Sequence, residues 1–380
     1  MANDSGYFDH NATTPMSAAA LAAWNRIAGT HWHNPSGLYP AAGEARHLLE
    51  EQRETLADIF DVDEPERIVF TSGASEANNA VIRHLAAAGG VIAISGLEHP
   101  CVRVPVEAFF PEDRIRRIPV VPETGVIDLE VLGNWIAGGE LAYVSVMAAN
   151  NETGALQPWP EIAALCREAG TRYHADAAQW IGKGPVDGLA RCDFVTASGH
   201  KFGGGKGVGF LLLPEDFEEV DFHGQIGGPQ EEGRRAGTED LPGIAAMVEA
   251  LGERSDAARW ESAASLGAYR DAFERRIATA LGCRLLAAAG PRLWNTSLFV
   301  VPRAKNLKWL TRLGRRGFCV STGSACSAGK GDPSSVMLAM GLEYGEMGRV
   351  IRASGGWNTT EEDWNALAEA FLEVGEELRE

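Results

Sequence analysis

Basic residues are scarce in this chain, and lysine is the scarcest of all. Lys and Arg number 34 against 52 Asp and Glu, a formal charge of −18, and only six of the 380 residues are lysine. A surface built for nucleic acid or an anionic membrane displaces counterions with a basic patch, so this deficit argues against both partners. It leaves room for a local pocket that takes a small anion. Long apolar runs are missing too. The longest uncharged, mostly apolar stretch, Leu85 to Leu97, is broken by glycines and falls well short of the ~20 residues a membrane span needs. The N-terminal MANDSGYFDHNATTP has neither a basic nor an apolar leader region, so no signal peptide is read there. The cysteines, Cys101, Cys166, Cys192, Cys283, Cys319 and Cys326, include no CxxC pair. Neither a zinc site nor a disulfide framework is indicated, and a reducing, cytoplasmic setting is expected.

What is present is the balance of a globular protein, 45% hydrophobic and 23% charged. The length suggests two or three domains. From about residue 67 to 213, short β-branched runs at 67–70, 91–95, 141–146, 172–175, 194–197 and 208–213 alternate with amphipathic stretches at 75–88, 129–137 and 158–169. Strand, helix, strand in that rhythm predicts an α/β fold with a mostly parallel sheet covered on both faces. Ligands on such sheets sit beyond the carboxyl ends of the strands. After Gly243 comes a long Ala-rich, charged helical stretch to about Leu281. Strand candidates follow at 283–287 and 296–301, then a helix at 306–316 and a closing helix from Thr360. This second composition predicts a smaller α+β domain. A large domain over 14–250 is expected, with 1–13 and 251–380 forming the small one.

Four segments carry candidate chemistry. ASGHKFGGGKGVGF (197–210) places Lys201 between a strand and a glycine cluster, and it fits neither the P-loop nor the GxGxxG register. TSGASEANNA (71–80) ends a strand and opens a helix, so its first amides and the Ser72 and Ser75 hydroxyls form an anion cup. HADAAQ (174–179) puts Asp176 at a strand end, and GLEHP holds His99. Singly, each has a plainer reading: a turn lysine, an ordinary helix cap, a strand-end cap, a satisfied loop histidine. Together, a phosphate cup, a lysine able to form a Schiff base and a carboxylate for a pyridine nitrogen are the parts a pyridoxal-phosphate site requires. In VSTGSACSAGKGDPSS (320–335), Cys326 stands among small residues that offer it no apolar core.

The ordered series YFDHNATTP, HNPSG, IVFTSGASEANN, EHP, NNETG, HADAAQ, SGHKFGGGKGVG, GRRAGTED, STGSACSAG and IRASGGWNTTEED resembles the cysteine desulfurases, in particular the nitrogen-fixation and housekeeping iron–sulfur cluster group. These enzymes belong to the class V aminotransferase-like superfamily of pyridoxal-phosphate fold-type I. The resemblance implies a homodimer that turns L-cysteine into L-alanine and passes sulfur to an acceptor protein. It makes Lys201 the Schiff-base lysine and Asp176 the pyridinium partner. Gln179 and Asn151 would touch the phenolic oxygen of the cofactor, and His99 would stack on the ring and act as acid–base. Ala74, Ser75, Ser198 and His200 would hold the phosphate, joined by Thr238 of the neighbouring subunit. Asn34 and Arg352 would take the substrate carboxylate, and Cys326 would carry the persulfide.

Ser75 stands where many relatives have threonine, and Glu232 where a basic residue is common. Housekeeping members extend beyond the position of Glu380 with a tail that engages a cluster scaffold, so docking of that kind is left open. The rival readings are another class V enzyme, such as a selenocysteine lyase or a transaminase-like enzyme, and a catalytically retired fold serving as a scaffold. Cys326 argues against a plain transaminase. The presence of Lys201, Asp176 and Arg352 argues against a retired fold.

Overall fold

A computed structural model describes residues 6–255, 257–323 and 334–379. Two helices precede the first strand, α1 (Ala18–Thr30), capped by the Ser17 hydroxyl, and α2 (Pro40–Phe60), with proline in its first turn. Alternation then sets in: β1 (Ile68–Thr71), α3 (Ala74–Ala88), β2 (Ile92–Ser95), α4 (Pro100–Phe109) and β3 (Ile115–Ile118). The hairpin β4 (Val120–Val121) and β5 (Val126–Ile127) leads to α5 (Leu129–Ala137), β6 (Tyr143–Ser145), α6 (Trp159–Ala169), β7 (Arg172–Asp176), β8 (Phe194–Ser198) and β9 (Gly209–Leu212). Next come α7 (Leu241–Arg254), α8 (Ala257–Leu281), β10 (Arg284–Leu285), β11 (Thr296–Val300) and α9 (Asn306–Arg315). The chain closes with α10 (Ser335–Ala339), α11 (Tyr344–Met347), β12 (Val350–Ser354) and α12 (Glu361–Glu377).

Seven strands form the main sheet in the order β1-β9-β8-β7-β6-β2-β3. β9 runs antiparallel to both its neighbours, and the remaining pairings are parallel. The sheet is therefore mostly parallel, as expected, with one reversed strand. Its central strands are buried on both faces, which is why they read as continuous apolar runs and not as alternating ones. On one face Val81 and Leu85 of α3 pack with Val102 and Val106 of α4. On the other, Leu56 of α2, Leu132 of α5, Ile162 of α6 and Met247 of α7 share one core.

A second, three-stranded sheet has the order β10-β11-β12 and is antiparallel. Phe273 of α8, Trp309 of α9 and Phe371 of α12 cover it, and Phe8 from the N-terminal segment lies in the same core. Full burial of aromatic side chains of this size is worth roughly 1.5–3 kcal/mol each. Isolated bridges from Tyr7 to Cys319 and from Asp9 to Ser354 fasten the N-terminal segment beside this second sheet. Among the described residues no helix is long and apolar enough to cross a membrane.

Candidate active site

β1, β2, β6, β7 and β8 run in the same direction, and the segments leaving their carboxyl ends line one cavity of about 540 Å³. This is the position at which parallel sheets present ligand sites. β1 delivers the chain to Gly73, whose φ of +142° favours glycine. A Cβ there would lie 3.2 Å from Ser198 Oγ, and a Cβ on Gly209 would come within 2.6 Å of Gly73 Cα. Bare backbone thus forms one wall, and the N-terminus of the 15-residue α3 opens onto it with Ala74 and Ser75. Unpaired N–H groups and the helix dipole make such an end a natural anion seat. Ser198 and His200 complete that side of the cavity. Glu76 also lines it, but its carboxylate is taken up by Arg235 at 2.9 Å and by the Ser72 N–H at 2.9 Å.

Asp176, at the end of β7, is buried. Its Oδ1 accepts the Ala178 N–H at 3.0 Å and its Oδ2 accepts an Asn78 Nδ2 hydrogen at 2.8 Å. Asn78 belongs to the buried face of α3, where residues 74, 77, 78, 81, 82 and 85 recur at helical spacing. Its Oδ1 accepts from Thr196 Oγ1 at 2.5 Å and faces His174 Nε2 at 3.0 Å. Because that oxygen is acceptor-only, His174 carries its proton on Nε2. Burial pushes the His174 imidazole down to about 4, so it stays neutral.

Lys201 follows β8 and donates to Asn11 O at 2.7 Å and to Ala12 O at 3.0 Å. His99 caps α4, its Nδ1 accepting the Cys101 N–H at 3.2 Å and lying 2.9 Å from Cys101 Sγ. Nδ1 is therefore the acceptor nitrogen. Burial, reinforced by the Lys201 charge and opposed by Asp176, lowers the imidazole below its ordinary range. Behind it Glu98 is wholly buried. Its Oε1 accepts from Ser95 Oγ at 2.6 Å and from the Met147 N–H at 3.0 Å, while Oε2 has no partner among the described residues. Burial pushes this carboxyl up to about 8.

Of the residues singled out from sequence, Ala74, Ser75, His99, Asn151, Asp176, Gln179, Ser198, His200 and Lys201 meet at this cavity. Asn34 and Thr238 do not; both are exposed, and Asn34 Oδ1 accepts the Ser36 N–H in a local turn at 2.9 Å. Arg352 on β12 is buried directly behind Asn151. Its Nη1 donates to Asn151 O at 2.7 Å and to Gly323 O at 2.9 Å, and its Nη2 pairs with Asp9 at 2.5 Å. Nε has no partner among the described residues. Cys326 lies outside the described residues. Five residues of the site were not foreseen: Asn11, Asn78, Cys101, Lys183 and Lys206. Lys183 and Lys206 are two of only six lysines, and that rarity was the available signal.

The family model for aminotransferase class-V matches residues 6–367. A cysteine desulfurase of Rhodobacter capsulatus is 35% identical, the alignment covering 98% of this chain and 97% of that one. Among solved structures, a NifS-like protein from Rickettsia africae ESF-5 superposes with a TM-score of 0.86 at 29% identity, covering 97% of this chain and 98% of that one. SspA in complex with cysteine superposes with a TM-score of 0.79 at 27% identity, covering 93% and 100%. The chain belongs to the class-V aminotransferase family and, within it, to the cysteine desulfurases.

Proposed function

We propose that this chain is a cytoplasmic, pyridoxal-phosphate-dependent cysteine desulfurase, working as a homodimer, that converts L-cysteine to L-alanine and leaves a persulfide on Cys326. The observation that carries the reading is the meeting of Lys201, Asp176 and His99 in one cavity with the open N-terminus of α3. The residues present fit the cofactor. The glycine-walled helix end suits a phosphate, the buried Asp176 carboxylate suits a protonated ring nitrogen, and Lys201 suits the aldehyde. When bound, the cofactor supplies an electron sink for the substrate Cα.

The residues of the chain do the rest. Ala74, Ser75, Ser198 and His200 hold the phosphate, and Gln179 and Asn151 address the phenolic oxygen. Burial and the Lys201, Lys206 and Lys183 charges push His200 down to about 4, so it serves as a neutral group. Lys201 Nζ moves the proton at the substrate Cα. Arg352, whose Nε has no partner among the described residues, takes the substrate carboxylate, and Asn34, outside this cavity, is left without that role. The Cys326 thiol gives its proton to His99 or to the substrate amine, and its sulfur attacks the substrate sulfur. The Cβ–S bond breaks, an S–S bond forms, and alanine leaves, so that cysteine plus enzyme thiol balances alanine plus enzyme persulfide. A sulfur-acceptor protein then removes the outer sulfur.

The two sheets, the second covered on one face by Phe273, Trp309 and Phe371 and joined on the other to Leu97, Met147 and Ala155, support a large domain over 14–250 and a small one of 1–13 with 251–380. Thr238 is exposed and away from the cavity of its own chain, as a residue serving the neighbouring subunit has to be. The test is alanine released from L-cysteine, with a reductant present, by the wild type and by Cys326→Ala. Alanine from the wild type alone supports the reading. Equal alanine from the variant removes Cys326 from the mechanism, and none from either points to another substrate.

A further inference from the structure

We propose that Lys183 is a positioning residue that anchors the Gln179 amide with its Nε2 toward the cavity. It rests on the cofactor reading above, in which Gln179 meets the phenolic oxygen. Lys183 sits in the turn after β7, is 5% exposed, and has its backbone carbonyl held by Trp294 Nε1 at 3.0 Å. Its Nζ donates to Asn11 Oδ1 at 2.9 Å and to Gln179 Oε1. Both acceptors are neutral amide oxygens.

The polarity of this small network follows from its fixed carbonyls. Asn11 Nδ2 donates to the Asn151 carbonyl at 3.2 Å and to Thr296 Oγ1 at 2.8 Å, which turns Oδ1 toward Lys183 and Asn295 Nδ2. Gln179 Nε2 donates to the Asn11 carbonyl at 2.9 Å, which turns Oε1 toward Lys183. Two buried oxygens therefore converge on one nitrogen. An ammonium offers three N–H donors and a neutral amine still offers two, so Nζ satisfies both oxygens in either state. With Oε1 occupied and one Nε2 hydrogen on Asn11 O, the second Nε2 hydrogen is left for the cavity that Gln179 lines. Without Lys183 the Gln179 oxygen loses its donor, while Asn11 Oδ1 keeps Asn295 Nδ2. A flipped amide would set Oε1 against the Asn11 carbonyl, so the relief is for the Gln179 side chain to leave its seat, which takes the second Nε2 hydrogen away from the phenolic oxygen.

The charged and titratable groups around Nζ are Lys201, Arg352, His10 and His200. Lys201 and Arg352 oppose an ammonium at 183, and burial opposes it more. The experiment titrates the absorbance of bound pyridoxal phosphate in wild type, Lys183→Met, Gln179→Ala and the double variant, with circular dichroism as the folding control. Losing an N–H donor to the phenolic oxygen makes the chromophore hold its proton more tightly. In Lys183→Met its proton affinity rises roughly tenfold, the scale of one lost hydrogen bond. Gln179→Ala gives a similar rise and the double variant no more, because residues acting through one contact are not additive. Lys183→Arg, which keeps the donors, restores most of the wild-type value. An equal further rise on adding Lys183→Met to Gln179→Ala overturns the inference in favour of a direct field effect. No change in Lys183→Met overturns it outright. A wild type that forms no chromophore overturns the cofactor reading and this inference with it.

Discussion

Glu98 shows what a single buried group does to this protein. Its Oε1 takes two donors while Oε2 has none among the described residues, and burial raises the carboxyl to about 8 from its ordinary 4.5. A group with a raised folded-state pKa binds its proton more tightly in the folded chain, so its contribution is most favourable below about pH 4.5 and is lost as pH rises toward about 8. At pH 7 the penalty is of order 3 kcal/mol. Glu98→Gln keeps the acceptor and removes the ionisation. Denaturant unfolding of the apo-protein is therefore expected to find the variant more stable than wild type by that amount near neutrality, with the gap closing toward about pH 5. An unchanged gap across that range refutes the assignment. At this scale the site was half legible in the sequence. Lys201, Asp176 and His99 are plain singly and were legible only together, as parts of one ordered series of motifs. Lys183, Asn78 and Asn11 were not, because their roles come from partners in β7, β8 and the N-terminal segment that only the tertiary fold assembles.

Gly73 joins two elements, β1 and α3, and the anion seat depends on how they join. Its backbone lies at φ +142° and ψ 175°, a region essentially reserved for glycine, where another residue costs of order 1–3 kcal/mol. Gly73→Ala adds that strain and a Cβ 3.2 Å from Ser198 Oγ. Thermal melting of the apo-protein is expected to show a loss of that size, and fluorescence titration to show weaker pyridoxal-phosphate binding. Unaltered melting and binding would mean that the β1–α3 junction does not need its present shape. β1, β2, β6, β7, β8 and β9 were legible because short apolar runs alternate with helical spacing, whereas β3, with two arginines in four residues, and the two-residue β4 and β5 were not. Nor were others. β12 is five residues long between irregular segments, and α4 carries an internal Pro105 that interrupts its pattern. α2 reads as polar because charged and polar side chains line its outer face, although Leu49, Leu56 and Phe60 are buried. The reversal of β9 follows from its connection to β8, which is a glycine-rich loop with no crossover helix; a parallel pair would need one.

At the scale of the whole molecule, the single chain supplies a cavity to which Thr238 does not belong. In the proposed dimer that residue reaches the phosphate of the other subunit, and subunit mixing tests the idea directly. A heterodimer of one Lys201→Ala chain and one Thr238→Ala chain has two unlike cavities. If Thr238 serves across the interface, the cavity that keeps Lys201 also receives an intact Thr238 from its partner, and the other cavity lacks both. If Thr238 serves its own chain, each cavity is missing one residue. The expected result is one cofactor bound per heterodimer with wild-type affinity and half the wild-type alanine release. The Thr238→Ala homodimer should bind more weakly by about 1.5–3 kcal/mol, the range for a hydrogen bond to a charged group. A heterodimer whose remaining cavity is as weak as that homodimer would place Thr238 in its own chain's site. The acidic whole, at −18, makes this concentration of Lys201, Lys206 and helix-end amides in one cavity the more telling. A phosphate approaching the molecule meets repulsion over most of its surface and attraction there, so cofactor uptake should slow as salt screens the local field. The heterodimer experiment is therefore best run at one fixed ionic strength, where a difference in affinity reports Thr238 alone.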